Sequence, residues 1–172
     1  MSEVLAQAES AAAPIRAGID AENGTATELI SFAIGEEQYG VDIMAVREIK
    51  GWSGITHLPK QPDYVRGVLN LRGVMVPIID LRCRFGQGTT EATPMHIVII
   101  VQIDTLQVGL LGDRVLDIVS VERSQVQAVP KIAEVARVDF LSGLVTTKTG
   151  MIALIDLPRL LSVPAAGEKA AA

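Results

Sequence analysis

The sequence predicts an all-β fold, built as two small pseudo-symmetric β-barrels packed together, with only short helices. Three observations predict it. Val and Ile together number 36 of 172 residues while six residues are aromatic, and β-branched side chains favour strands. Fifteen glycines and eight prolines divide the apolar runs into short segments. The chain also repeats itself: shifted by 76 residues, DYVRGVLNLRGVMVPIIDL (63–81) lies over DFLSGLVTTKTGMIALIDL (139–157). Asp63/Asp139, Gly67/Gly143, Met75/Met151, Ile79/Ile155, Asp80/Asp156 and Leu81/Leu157 are identical, and pairs such as Tyr64/Phe140 and Arg72/Lys148 are conservative. Two Val/Ile-rich hairpins can resemble each other by chance, but the matched Gly and Asp positions favour a duplication and two similar halves.

The elements follow in order. ELISFAI (28–34) alternates and ends at Gly35, where a turn forms. EQYGVDIM (37–44) and AVREIKGW (45–52) read as the next strands. GVLNL (67–71), Arg72-Gly73 and VMVPIID (74–80) read as a tight hairpin. IVIIVQI (97–103) is apolar throughout, as a central strand should be, and turns at Asp104-Thr105 into LQVGLLG (106–112). VLDIVSV (115–121) alternates, and LVTTKTGMIALID (144–156) repeats the hairpin. Asp80–Phe85 and Asp156–Leu161 read as short helices, each opened by a capping Asp. Residues 1–27 and 164–172 lack a sustained apolar period and are expected to be flexible tails, a helix over 3–13 being marginal alone. The expected body is 28–163.

Composition narrows the function classes. The net charge is −5, so no basic field invites nucleic acid or an anionic membrane surface. No apolar run approaches the roughly 18 residues of a membrane span, and the first ten residues lack a signal-peptide layout. A cytoplasmic location is expected. Cys83 is the only cysteine, which excludes an internal disulfide and a multi-cysteine zinc site.

Catalytic motifs are missing. His57 and His96 are the only histidines and form no zinc-binding pattern, and no phosphate- or dinucleotide-binding glycine loop opens a helix. Cys83 reads as structural within its short helix rather than as a nucleophile. Asp80 and Asp156 read as paired helix caps rather than a catalytic carboxylate pair. Features that suit a binding surface are more visible. Arg72 occupies a hairpin tip, where a guanidinium presents a planar fork of donors; a solvated turn charge is the alternative. Glu48, between Val46 and Ile49, marks either a charged spot beside an apolar contact or a solvated strand face. Trp52, the only Trp, reads as a core anchor.

With these residues in view, YGVDIMAVREIKGW (39–52) followed by LPKQPDYVRGVLNLRGVMVPIIDLRCRF (58–85) resembles the CheW family of chemotaxis coupling proteins. The resemblance continues through IVIIVQ (97–102), VGLLGDRVLDIVSV (108–121) and FLSGLVTTKTGMIALIDLPRLL (140–161), covering about residues 28–162. It departs at Leu111-Gly112-Asp113-Arg114-Val115, where many members read Val-Asp-Gly-Val. The resemblance implies two SH3-like five-stranded β-barrels around a shared hydrophobic core. It implies an adaptor, not an enzyme, with no cofactor and no metal. Its partners would be the cytoplasmic tip of methyl-accepting chemoreceptors and the C-terminal regulatory domain of the histidine kinase CheA. It carries receptor or signalling contacts onto Val46, Glu48, Arg72, Ile97, Val108 and Ile118, and kinase contacts onto Val46 and Gly67. Gly67 also has a purely backbone reading. Two rivals remain: an adaptor of another CheA-like kinase pathway, such as surface motility, and a small-molecule-binding β-barrel.

Overall fold

The computed structural model describes residues 26–130 and 140–161. The strands are β1 (Ala26–Ile34), β2 (Glu37–Asp42), β3 (Val46–Gly51), β4 (Val65–Leu71), β5 (Val74–Asp80), β6 (Ile97–Ile103), β7 (Leu106–Gly112), β8 (Arg114–Glu122), β9 (Leu141–Thr147) and β10 (Gly150–Ile155). Two short helices, α1 (Leu81–Arg84) and α2 (Leu157–Leu161), follow β5 and β10. The expected tails fall almost wholly outside the described residues, although β1 begins at Ala26, two residues ahead of the expected body. The strand expected over 37–44 stops at Asp42. Its carboxylate accepts the Met44 N–H at 2.9 Å and caps a 3-10 turn over Ile43–Ala45.

The strands form two five-stranded sheets. Sheet I has the order β8-β1-β2-β10-β9, and sheet II the order β3-β6-β7-β5-β4. In both, the only parallel pair is the central one, β2 with β10 and β7 with β5. The duplication extends beyond the hairpin seen in the sequence. Leu154 pairs with Gly40 in one sheet and Ile78 with Gly109 in the other. Each outer ladder carries a bulge at the matching place, beside Ser31↔Asp117 and beside Ile100↔Glu48. Matching strands are therefore β1–β2 with β6–β7, β3 with β8, and β4–β5 with β9–β10. The third strand of each half crosses over, so each sheet takes two strands from one half and three from the other.

Continuous pairing leaves both sheets open. A single two-bond bridge brings the chain leaving β3 to the far edge, Thr56 to Val68 at 2.8 and 2.9 Å, and another brings the chain leaving β8 to β9, Gln127 to Leu144 at 2.8 Å.

The main core lies between the sheets. Phe32, Ile34, Tyr39 and Val41 of sheet I meet Ile99, Val101, Val108 and Leu110 of sheet II, with Leu81 and Phe85 at one helix and Leu157 and Leu160 at the other. Side chains alternating out of β6 explain why it is apolar throughout: Ile99 and Val101 face this core while Val98 and Ile100 fill the inside of sheet II. Five of the six aromatics thread this region. Phe32, Tyr39, Phe85 and Phe140 follow one another at centroid spacings of 4.9–6.2 Å. The Arg84 guanidinium then lies 4.1 Å from the Phe140 ring and 4.4 Å from that of Tyr64, which are the duplicated aromatic pair. Trp52 packs with Ile55, Leu69 and Ala92 against the inside of sheet II.

Asp80 is the polar anchor. Its side chain is fully buried, and it caps α1 through the Arg82 and Cys83 N–H groups. It also accepts from Arg66 at 3.0 Å, the Thr90 N–H at 2.8 Å and the Thr90 hydroxyl at 2.6 Å. Its counterpart Asp156 also caps a helix, accepting the Arg159 N–H at 3.1 Å, but Ser142 stands where the first half has Arg66. The expected paired caps are present, and only one of them is a buried salt bridge. Asp80→Ala should cost about 3 kcal/mol or more, because it strands Arg66 and two Thr90 donors. Asp156→Ala should cost about 1 kcal/mol, the loss of an ordinary cap. Chemical denaturation of the two variants measures the difference.

Candidate functional site

The β4–β5 turn is built by two residues in the left-handed region, Arg72 at φ +51° and Gly73 at φ +88°, the backbone that a two-residue hairpin requires. The Asn70 side chain secures it by accepting the Gly73 N–H at 2.9 Å. The turn aims the Arg72 side chain along the seam between edge strands β4 and β3, where it donates to the Glu48 carboxylate. Lys50 stands 3.6 Å from the other Glu48 oxygen. The hydrogen bond from Arg72 holds the Glu48 carboxyl below the usual carboxylate range. Glu48 is thus not a simply solvated residue, and Arg72 is not a free turn charge, although its side chain is 72% exposed.

Apolar side chains surround this pair at the same end of sheet II. Val74 and Met75 directly follow the turn and are 49% and 54% exposed. Leu106, 47% exposed, opens β7 beside the β6–β7 turn. Met75 and Leu106 each lie three residues ahead of the Ile78–Gly109 pair that joins their strands. Met44, 77% exposed, sits in the 3-10 turn just before Val46, which pairs with Val101 near the same end of β6. Val46 itself is half-buried against the main core. The matching end of sheet I is different: Glu37 stands where sheet II has Leu106, Gly150 where it has Val74, and Lys148 where it has Arg72.

The other residues singled out from the sequence lie elsewhere. Ile97 is half-buried at the opposite end of β6, pairing with Gly51 and Gly112. Ile118 is exposed on edge strand β8 of sheet I. Val108 is in the main core at 2% exposure, with its side chain turned away from the surface. Gly67 is buried on β4 at φ +147°, and a Cβ there would lie 2.2 Å from the Thr56 carbonyl oxygen. Glycine at 67 is required by the bridge between edge strand β4 and Thr56, which is the backbone reading. The seven residues therefore do not form one patch; Val46, Glu48 and Arg72 do.

Between the sheets a groove of about 380 Å³ is lined by Leu29, Gly40 and Leu154 of sheet I, Ala45 of the 3-10 turn, Ile103 of sheet II and Pro158 of α2. Sequence reasoning missed the device that ties the sheets at the β1–β2 turn. Asp113 accepts two hydrogen bonds from Arg82 of α1, at 2.8 and 3.0 Å, and the Gly35 N–H of the β1–β2 turn at 2.7 Å. His96 Nε2 stands 3.5 Å away. Burial pushes the Asp113 carboxyl up, but the Gly35 N–H and the Arg82 guanidinium outweigh it, and the group stays below its ordinary range. No motif marks this cluster, because its members come from four separate segments. Burial pushes the Cys83 thiol up, away from nucleophilic use. Among the described residues, no group of three His, Cys, Asp or Glu side chains is placed to hold a metal, and no helix is long and apolar enough to cross a membrane.

Comparison with known proteins matches residues 28–165 to the family model described as CheW-like domain. The chain is 42% identical over 130 residues to the chemotaxis protein CheW of Rhizobium meliloti (strain 1021), covering 76% of this chain and 84% of that protein. It is 25% identical over 136 residues to protein FrzA of Myxococcus xanthus, covering 78% and 84%. The structure resembles that of the scaffolding protein TtCheW from Thermoanaerobacter tengcongensis with a TM-score of 0.69 and 32% identity, over 75% of this chain and 88% of that one.

Two measurements check the geometry. Gly67→Ala should destabilise the fold by about 3 kcal/mol or more, whereas Gly143→Ala, whose Cβ would meet the Val126 side chain rather than backbone most closely, should cost less. Asp113 is charged at neutral pH and depressed in the folded state, so its contribution is complete above about pH 4 and is lost as pH falls through the folded value. Asp113→Asn should therefore flatten the acid limb of a stability–pH curve recorded between about pH 6 and pH 2.

Proposed function

This chain belongs to the CheW-like domain family, and on that premise we propose that it is a non-enzymatic adaptor coupling methyl-accepting chemoreceptors to the histidine kinase CheA. The observation that carries the reading is the end of sheet II. A guanidinium–carboxylate pair, Arg72 with Glu48, stands among the exposed apolar side chains of Val74, Met75, Leu106 and Met44. An apolar contact area with a preorganised charged centre suits protein docking; the matching end of sheet I also exposes Val115, Leu116 and Met151, but Lys148 stands there in place of Arg72.

In this reading the two sheets are SH3-like barrels, each closed by its Thr56–Val68 or Gln127–Leu144 bridge. The C-terminal regulatory domain of the kinase docks against the end of one of them, with Val46 in the contact and Gly67 shaping it from behind. A receptor tip, a helical hairpin, presents one helix face to the groove between the sheets. Glu48, Arg72, Ile97 and Ile118 are separate signalling positions spread over both sheets, while Val108 supports β7 from the core. Receptor state biases the kinase only if these contacts differ in free energy between states. Weak single contacts suffice when many units are joined in one array. The adaptor works in the cytoplasm and reaches the membrane through the receptors. A second reading is favoured by the FrzA relative: the same docking chemistry serving another kinase pathway. Pull-down from the native cytoplasm, with identification of the kinase and receptor retained, separates the two.

Arg72→Ala should weaken receptor binding by at least about fivefold, since it removes charge-assisted hydrogen bonds and frees Glu48 from its partner. Thermal unfolding should change little. Unchanged affinity defeats the docking role of Arg72, and a parallel fall in stability makes it structural.

A further inference from the structure

Methionine is placed unusually in this protein. All four methionines among the described residues are more than half exposed: Met95 at 81%, Met44 at 77%, Met75 at 54% and Met151 at 51%. The Ile and Leu residues that fill the core are mostly below 8% exposed, so the chain keeps its thioethers out of the interior. The exposure is not confined to one half, since Met75 and Met151 are counterparts in the duplication. Their surroundings differ. Met75 shares its end of the sheet with Leu106 and Val74, and Met44 lies at that same end before Val46. Met151 is next to the stretch with Glu36 and Glu37 along one cavity wall. A thioether exposed in this way is open to hydroperoxides. Its oxidation product carries a polar S=O group that an apolar contact cannot bury without a donor.

We propose that Met44 and Met75 are sulfoxidation sites through which hydroperoxides loosen the docking end of sheet II. The step is a two-electron oxygen transfer. The sulfur lone pair attacks one peroxide oxygen, the O–O bond breaks, and the S–O bond forms. The departing hydroxide takes the remaining peroxide proton and leaves as water. The sulfur is oxidised and the peroxide reduced. Neither methionine belongs to the core, so oxidation alters the docking face without unfolding the protein. The site on sheet II couples the modification to binding because the added oxygen must be desolvated there against apolar groups. This regulatory consequence rests on the docking reading above; the modification itself does not.

The experiment treats the full chain with hydrogen peroxide, maps oxidised peptides by mass spectrometry, and titrates treated and untreated protein against the C-terminal regulatory domain of its CheA kinase. One added oxygen is expected at both Met44 and Met75, with the thermal midpoint unchanged and the affinity reduced at least about fivefold. Methionine sulfoxide reductases should restore it. The double variant M44L/M75L, compared with its own untreated sample, should lose no affinity on treatment. The proposal is overturned if Met44 and Met75 stay reduced while Met95 and Met151 oxidise. It is also overturned if they oxidise and affinity holds, or if the double variant is as sensitive as the parent chain. If untreated protein does not bind the kinase domain, the docking reading fails and the regulatory half falls with it. The peptide map then still decides the modification.

Discussion

Each sheet has one face that it cannot bury alone. β1 and β2 offer Phe32, Ile34, Tyr39 and Val41 to the same space into which β6 and β7 direct Ile99, Val101, Val108 and Leu110. The crossing of β3 into sheet II and of β8 into sheet I makes that space unavoidable, because each sheet is built from strands of both halves. Burial of these side chains is the main favourable term, and it is gained only when both halves are present. The groove and the end of sheet II that carries Arg72 and Glu48 both rest on this core. α1 illustrates the dependence: Leu81 and Phe85 enter the core, Asp80 caps the helix from inside, and Arg82 reaches out to hold Asp113 and, through it, the Gly35 turn of the other sheet.

Duplication supplies symmetry, and single substitutions break it where function needs a difference. Arg66 binds the buried Asp80, whereas Asp156, with Ser142 in the place of Arg66, caps its helix and pairs with the exposed Arg159 side chain. Arg84 is held between Tyr64 and Phe140, whereas its counterpart Leu160 simply fills the core. Leu106 and Val74 add apolar surface at the end of sheet II where sheet I has Glu37 and Gly150, although Val115, Leu116 and Met151 are exposed at that end of sheet I. The backbone frame that both halves share, with glycines at the central parallel pairs and bulges in the outer ladders, tolerates these changes because they fall on turns, caps and strand ends. A symmetric scaffold in this way carries two ends of different chemistry.

Much of this was legible in the sequence. The uniform apolar run 97–103 announced a strand buried on both faces, and β6 is one. The Arg72-Gly73 turn and the two Asp caps were readable from local chemistry alone, since a left-handed turn and an unpaired helix N-terminus each demand particular residues within two or three positions. The short-range competition at Asp42 was missed: its carboxylate captures the Met44 N–H and ends β2 two residues early. The exposure of both Val74 and Met75 was also not readable, because alternation along a strand predicts that one of two neighbours points inward, and strand ends beside a turn escape that rule.

The sequence by itself determined the class of fold, the duplicated hairpin, the capped helices and the family resemblance, all of which depend on residues close together in the chain. Only the tertiary structure decided which residues meet. Glu48 and Arg72 are 24 positions apart and are brought together by the seam between two edge strands. Asp113 joins Gly35 and Arg82 because the third strand of each half crosses to the other sheet. The family resemblance carries contacts onto Val108 and Gly67; Val108 lies in the core and Gly67 against the Thr56 backbone. The physical reason is that propensity and periodicity act over a few residues, whereas burial, ion pairing and close backbone approach are set by the packing of segments remote in sequence.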